Sequence, residues 1–235
     1  VTSGVLQGMK QVLQRVKPDA LLVHGDTTTA LATAIAGFYS GIAVGHVEAG
    51  LRTYDLQAPY PEEFNRQVVS RVARWHFAPT EQSRQNLLSE QVLPASVHVT
   101  GNTVIDALFW VLKRLDCDSE RKAQVESLLN EQLLFPWQTS RFVLITGHRR
   151  ENFGQGFLQI CEALRSLAES FSEVHFVYPV HLNPAVQKPV FELLQALPNV
   201  HLLPPLEYEP FLLLLNRAYF VLTDSGGIQE EAPSL

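Results

Sequence analysis

The stretch from Ala20 to Arg52 sets the tightest limits on how this chain can fold. Ala20-Leu21-Leu22-Val23 is a short apolar run that stops at His24-Gly25-Asp26, and Ile42 to Val47 is a second that stops at Glu48. Runs without polar alternation belong to strands covered on both faces. Between them, Thr27 to Tyr39 carries Leu31, Ala34, Ile35 and Phe38 at helical spacing and closes at Ser40-Gly41, which predicts a helix with a C-terminal cap. A crossover of this length returns the chain parallel to the first strand in the same sheet. Asp26 and Glu48 are therefore expected on one rim, at the strands' carboxyl ends, where open α/β sheets bind ligands.

The alternation continues along the chain. Pro61 suits the first turn of a helix, and Glu62-Glu63 place negative charge at its positive end. Glu62 and Arg66 stand four apart, which on spacing alone describes a surface ion pair. Trp75 to Ala78 reads as a strand, Pro79-Thr80 opens a helix running through Leu88, and Val97 to Thr100 is the last strand of this half. A helix carrying Ile105, Leu108 and Leu112 follows, and a polar stretch from Asp116 to Gln132 separates it from the next strand. The second half alternates again, with strands at Phe142–Ile145, Val174–Val177, Val200–Leu203 and Tyr219–Leu222 and helices at 157–167, 184–196 and 210–217. The expected architecture is α/β, with two doubly wound domains, residues 1–100 and 101–235, facing a cleft of the kind nucleotide-sized ligands prefer.

Composition narrows the function classes. With 46% hydrophobic and 18% charged residues the chain reads as globular rather than disordered, and a net charge of −6 gives no basic surface for nucleic acid. Cys117 and Cys161 are the only cysteines, in no disulfide or metal spacing, which points to a reducing compartment. No apolar run approaches the roughly 18 residues of a membrane span, and Val1 to Lys17 lack a signal peptide's layout. The chain opens on Val1 inside an amphipathic pattern and stops at Leu235 just after a helix begins, so a fragment of a longer protein is expected.

Several motifs bear chemistry. Ser225-Gly226-Gly227 sits between a buried strand and a helix, where backbone N–H groups can approach a pyrophosphate; alone it is equally a tight turn with a serine N-cap. Glu231, further into the same helix, suits the paired hydroxyls of a ribose. Thr146-Gly147-His148-Arg149-Arg150 follows a strand directly and offers phosphate partners, of which His148 is the stronger candidate. His181 lies at another strand end, where a capping role competes. The remaining histidines show no metal spacing. Asp26 has the alternative of capping the helix at Thr27, but Glu48 ends an apolar strand and needs a partner or a function to offset its burial. Together with Glu62, these acids suit proton transfer at a sugar carbon.

With these motifs in place, the sequence closely resembles the non-hydrolysing UDP-N-acetylglucosamine 2-epimerases. The likeness runs through His24-Gly25-Asp26-Thr27-Thr28-Thr29, Gly45 to Arg52, Pro61-Glu62-Glu63 with Asn65-Arg66, Thr100-Gly101-Asn102-Thr103, Gly147 to Asn152, Pro179 to Pro184 and Thr223 to Glu231. The resemblance implies a GT-B fold and a cytoplasmic homodimer that supplies UDP-N-acetylmannosamine for polysaccharides. It implies anti elimination of UDP and its re-addition with inverted C2 configuration, without metal, nicotinamide or other cofactor. Asp26, Glu48 and Glu62 match the catalytic acids, with the identity of the C2 base left open by position. His148 and Arg66 match residues around the phosphates, Ser225, Gly226 and Gly227 the diphosphate cradle, and Glu231 the ribose contact. Leu206 and Phe211 fall where uracil is held, and His181 where bacterial members contact a second, activating UDP-N-acetylglucosamine. The family's basic Gly-Thr-Arg-Pro and His-Thr-Gly-Gln-His motifs would precede residue 1. Competing readings are a GT-B glycosyltransferase using a UDP-sugar and a UDP-sugar-binding protein without catalysis.

Overall fold

Four parallel strands carry the amino-terminal half: β1 (Ala20–His24), β2 (Ala43–Val47), β3 (Trp75–Ala78) and β4 (Val97–Val99), in that spatial order. A computed structural model describes residues 1–147 and 154–235. It divides into two compact units, Val1–Thr103 and Val104–Leu235. In the first, α1 (Thr2–Val16), α2 (Thr28–Tyr39), α3 (Glu62–Val72) and α4 (Glu81–Ser89) supply the helices. Thr27 caps α2, its Oγ1 accepting the Ala30 N–H at 3.1 Å, so Asp26 is not the capping residue. Asp26 is thereby left with its carboxylate uncommitted to the helix. At the other end Gly41 takes φ +70°, as a residue beyond a helix cap does.

The inner strand β2 is covered on both faces, as its apolar run requires, with Val44, Gly45 and His46 all buried. The run at Ala20–Val23 behaves differently: β1 lies at the edge of the sheet, and Leu22 is exposed. Val23 and Val44 pack with Leu31, Ala34 and Val69, while Ala49, Ala78, Leu87 and Val97 form a second cluster. Gly50, at φ +91°, crosses against α4 so closely that a Cβ would run into the Ser83 carbonyl; only glycine fits this turn.

The second unit repeats the plan with β5 (Phe142–Thr146), β6 (His175–Pro179), β7 (Val200–Leu203) and β8 (Phe220–Thr223), ordered β7-β6-β5-β8 and parallel throughout. Its helices are α5 (Thr103–Cys117), α6 (Ser119–Gln132), α7 (Gln155–Ser170), α8 (Pro184–Leu194), α9 (Tyr208–Arg217) and the short α10 (Gly226–Glu231). Phe142, Leu144 and Val177 point into one core cluster and Val143, Ile145 and Phe176 into the other, so successive residues of each strand serve opposite layers. The polar stretch expected to be a separator is instead α6. Asp118 caps it by accepting the Arg121 N–H at 2.9 Å, and only Val125 and Leu129 are buried. Two buried positions in 14 residues are too few to display a helical stripe, although they suffice to dock the helix. No helix among the described residues is long and apolar enough to cross a membrane.

Candidate active site

In the first unit the acids sit where the sheet delivers them. Pairing of His24 with Val47 places Asp26 and Glu48 just past the carboxyl ends of neighbouring strands. Glu48 adopts φ +69°, a left-handed conformation that costs a non-glycine residue roughly 1–2 kcal/mol. Its Oε2 lies 3.3 Å from His24 Nε2 and passes close to Gly25, where a Cβ would come within 3.3 Å of the same oxygen. Two contacts hold the backbone before and at Asp26. His46 Nε2–H donates to the Gly25 carbonyl at 2.9 Å, and Asn65 Nδ2 donates to the Asp26 carbonyl at 2.7 Å. Burial pushes His46 down to about 4, so near neutral pH it is an uncharged donor to that carbonyl.

Arg66 does not pair with Glu62. Its Nε and Nη2 both reach Asp26 Oδ2, at 2.9 and 2.8 Å, and its Nη1 lies 3.3 Å from Glu63 Oε2. The expected surface pair four residues apart is thus replaced by a contact spanning 40 residues of sequence. Glu62 is partly exposed and its carboxylate has no hydrogen-bond or ion-pair partner among the described residues. Glu63, beside it, is fully buried. Near this cluster Arg52 is buried and structural: Nε and Nη2 grip both oxygens of Glu90 at 2.6 and 3.0 Å, and Nη2 also donates to Ser70 Oγ at 2.8 Å. His76, on β3 beside His46, is also driven to about 4 by burial.

In the second unit Leu206 and Phe211 follow β7, and Ser225, Gly226, Gly227 and Glu231 follow β8. Thr146 and Thr223 share a hydroxyl contact at 2.6 Å between adjacent strands, and Thr223 Oγ1 accepts the Ser225 N–H at 2.9 Å. This bond fixes the turn that presents Ser225, Gly226 and Gly227 at the start of α10. The Ser225 side chain makes no capping bond to the helix. Glu231 is the last residue of α10, nearly buried, and its Oε2 has no partner among the described residues. Burial, aided by the neighbouring charge of Glu230, pushes its carboxyl pKa up. Tyr208 lies near enough that burial and the Glu231 charge raise its phenol too. Leu206 and Phe211 pack partly buried against the same core as Ile228. Leu206 and Tyr208 also line a cavity of about 470 Å³ whose other wall is α6, with Arg121 and Gln132.

The sequence-predicted residues therefore fall into separate groups. Asp26, Glu48 and Arg66 come together in the first unit, with Glu62 beside them but outside the ion-pair cluster. Leu206, Phe211, Ser225, Gly226, Gly227 and Glu231 lie in the second. His148 falls outside the described residues, as do Arg149 and Arg150. His181 is exposed, and its Nδ1 accepts the Asn183 N–H at 3.1 Å. The cap of α8 is Asn183, whose Oδ1 accepts the Ala185 N–H at 3.0 Å, so His181 is not the capping residue. Sequence reasoning missed Glu63, Asn65 and His46 as parts of the cluster. The signal for Glu63 was present in its spacing from Arg66, because i and i+3 positions share a helix face. Among the described residues no three His, Cys, Asp or Glu side chains are placed to hold a metal ion.

The family model described as UDP-N-acetylglucosamine 2-epimerase matches residues 1–235. The chain belongs to that family. It is 54% identical to a UDP-N-acetylglucosamine 2-epimerase of Yersinia pestis and 53% identical to that of Escherichia coli K12, in each case over all 235 residues and 61% of the relative's length. The crystal structure of the Neisseria meningitidis UDP-GlcNAc 2-epimerase bound to UDP-GlcNAc superposes with a TM-score of 0.91 at 49% identity, over 99% of this chain and 61% of that one. The Methanocaldococcus jannaschii enzyme in complex with UDP-GlcNAc and UDP gives 0.81 at 32% identity, over 99% and 62%. The chain thus spans about three fifths of the epimerases it matches. Its two parallel-sheet units are those of the GT-B architecture that the resemblance implied.

Proposed function

We propose that the full-length protein interconverts UDP-N-acetylglucosamine and UDP-N-acetylmannosamine by eliminating UDP and adding it back with inverted C2 configuration. The observation that carries this reading is the acid pair Asp26 and Glu48 past adjacent strand ends, with Arg66 directed onto Asp26. Removing a proton from a sugar carbon needs a held base, and returning it on the other face needs an acid. Asp26, Glu48 and Glu62 are assigned to these proton transfers. Departure of UDP needs charge stabilisation, assigned to Arg66 and His148 with the Ser225-Gly226-Gly227 turn. Glu231 takes the ribose hydroxyls, and Leu206 with Phe211 the uracil. His181 is assigned to a second, activating UDP-N-acetylglucosamine. The domain roles follow, with residues 1–100 carrying the acids and 101–235 the nucleotide contacts. The protein is further proposed to act as a cytoplasmic homodimer supplying polysaccharide precursors.

The decisive experiment incubates the full-length protein with UDP-N-acetylglucosamine in heavy water. Deuterium at C2, with UDP-N-acetylmannosamine formed and no free sugar released, is the expected result. UDP binding without label would assign a binding protein, and sugar transfer without label a glycosyltransferase.

A further inference from the structure

One fully buried carboxylate of the first unit, that of Glu63, plays no part in the proposed chemistry. Each of its oxygens serves two donors. Oε1 accepts the Tyr54 N–H at 3.1 Å and Gln67 Nε2 at 2.9 Å; Oε2 accepts the Thr53 N–H at 3.1 Å and faces Arg66 Nη1 at 3.3 Å. Burial alone would raise this carboxyl, but the bonds from Gln67, Thr53 and Tyr54 and the nearby charge of Arg52 outweigh it and hold its pKa below the usual range. Glu63 is therefore a fixed anion and not a proton carrier.

A guanidinium is a rigid plane, so holding one corner fixes the orientation of the others. Arg66 meets Glu63 through Nη1 and meets Asp26 through the opposite edge, Nε and Nη2. The same carboxylate ties the backbone of Thr53 and Tyr54 to the first turn of α3. Resting on the epimerase reading, we propose that Glu63 is a positioning residue that orients the Arg66 guanidinium against Asp26. Glu63 touches no reacting atom in this scheme and acts only through Arg66.

The test is a double-mutant cycle in the full-length protein, read as C2 deuterium exchange. Glu63→Gln is expected to lower kcat about 30-fold, a loss of the size a small misplacement causes, with KM for UDP-N-acetylglucosamine changed less than about threefold. In an Arg66→Ala background the same substitution is expected to cost less than about twofold, because the residue it acts through is gone. Equal losses in both backgrounds, or no loss in the wild type, would overturn the proposal. Glu63→Asp, which keeps the charge but withdraws it from Arg66, runs through the same cycle if the glutamine variant does not fold. If neither variant folds, Glu63 is a folding residue and the proposal fails. A wild-type protein that binds UDP-N-acetylglucosamine without exchange would remove the epimerase reading together with this one, whereas exchange with additive losses would remove this one alone.

Discussion

The carboxylates of the two units are treated in opposite ways. In the first, Asp26 is gripped by Arg66, Glu63 accepts four donors and Glu90 is held at both oxygens by Arg52. In the second, Glu231 is nearly as buried but one oxygen faces no donor among the described residues, and its pKa is raised accordingly. A buried polar group left unsatisfied costs free energy comparable to a lost hydrogen bond. The buried carboxylates Glu63 and Glu90 of the first unit thus have their donors before any ligand arrives, whereas Glu231 in the second has an oxygen that no donor among the described residues meets. Preorganised charge suits proton transfer, and an unmet acceptor suits recognition of a hydroxyl-bearing ligand.

Substitutions at three places and a change of pH sharpen or break this contrast. The largest effect is expected from Asp26→Asn in the full-length protein, where C2 exchange should fall roughly 10²- to 10⁴-fold with UDP affinity little changed, as titration calorimetry would show. Comparable loss of binding and exchange would mean that Asp26 belongs to ligand recognition instead. Next comes Arg52→Met, which strands Glu90 and should destabilise the first unit by about 3–5 kcal/mol in denaturant melts. An unchanged midpoint would show that the buried ion pair contributes nothing net.

Glu231→Leu is expected to act in the reverse sense from any loss at Glu63. It removes an uncompensated buried carboxyl, so the melting temperature should rise by a few degrees, while UDP affinity drops about 10-fold or more with the lost hydroxyl contacts. A fall in melting temperature would show that Glu231 is satisfied in the free protein and would erase the contrast. The last test concerns pH. His46, His76 and His201 have folded pKa values of about 4 against 6.5 in the unfolded chain, so between these limits the unfolded state binds more protons. Stability from these groups is complete above pH 6.5 and is lost as the pH falls toward 4, with about three protons taken up on unfolding. The slope of unfolding free energy against pH measures that number. A flat profile across this window would refute the burial of the three rings.

Much of the fold was legible in the chain. Ala20 to Val23 and Ile42 to Val47 announced parallel strands, and Trp75 to Ala78 and Val200 to Leu203 became strands with the bounds read from their sequence. The helix at Ser119–Gln132 was not legible, because its identity rests on a cap and two buried side chains rather than on a stripe. Within the site, Asp26 and Glu48 were found because each ends an apolar run. Arg66 was found but given the wrong partner, since spacing along a helix ranks Glu62 above an acid 40 residues away. Glu63 was passed over because Glu62 and Glu63 stand four and three residues before Arg66, and helical spacing allows either pairing.

Strand and helix periods, turn glycines and acids at strand ends are properties of neighbouring residues, so the sequence by itself determined where the elements lie and which rim carries the acids. Which carboxylate is buried, which cation meets it and which acceptor is left unmet are decided by segments far apart in the chain. Only when β1, β2 and α3 pack does Arg66 reach Asp26 and Glu63 together, and only when α10 docks beside β8 does Glu231 lose its water. Such pairings depend on distance in space and on desolvation, neither of which is written in the order of residues.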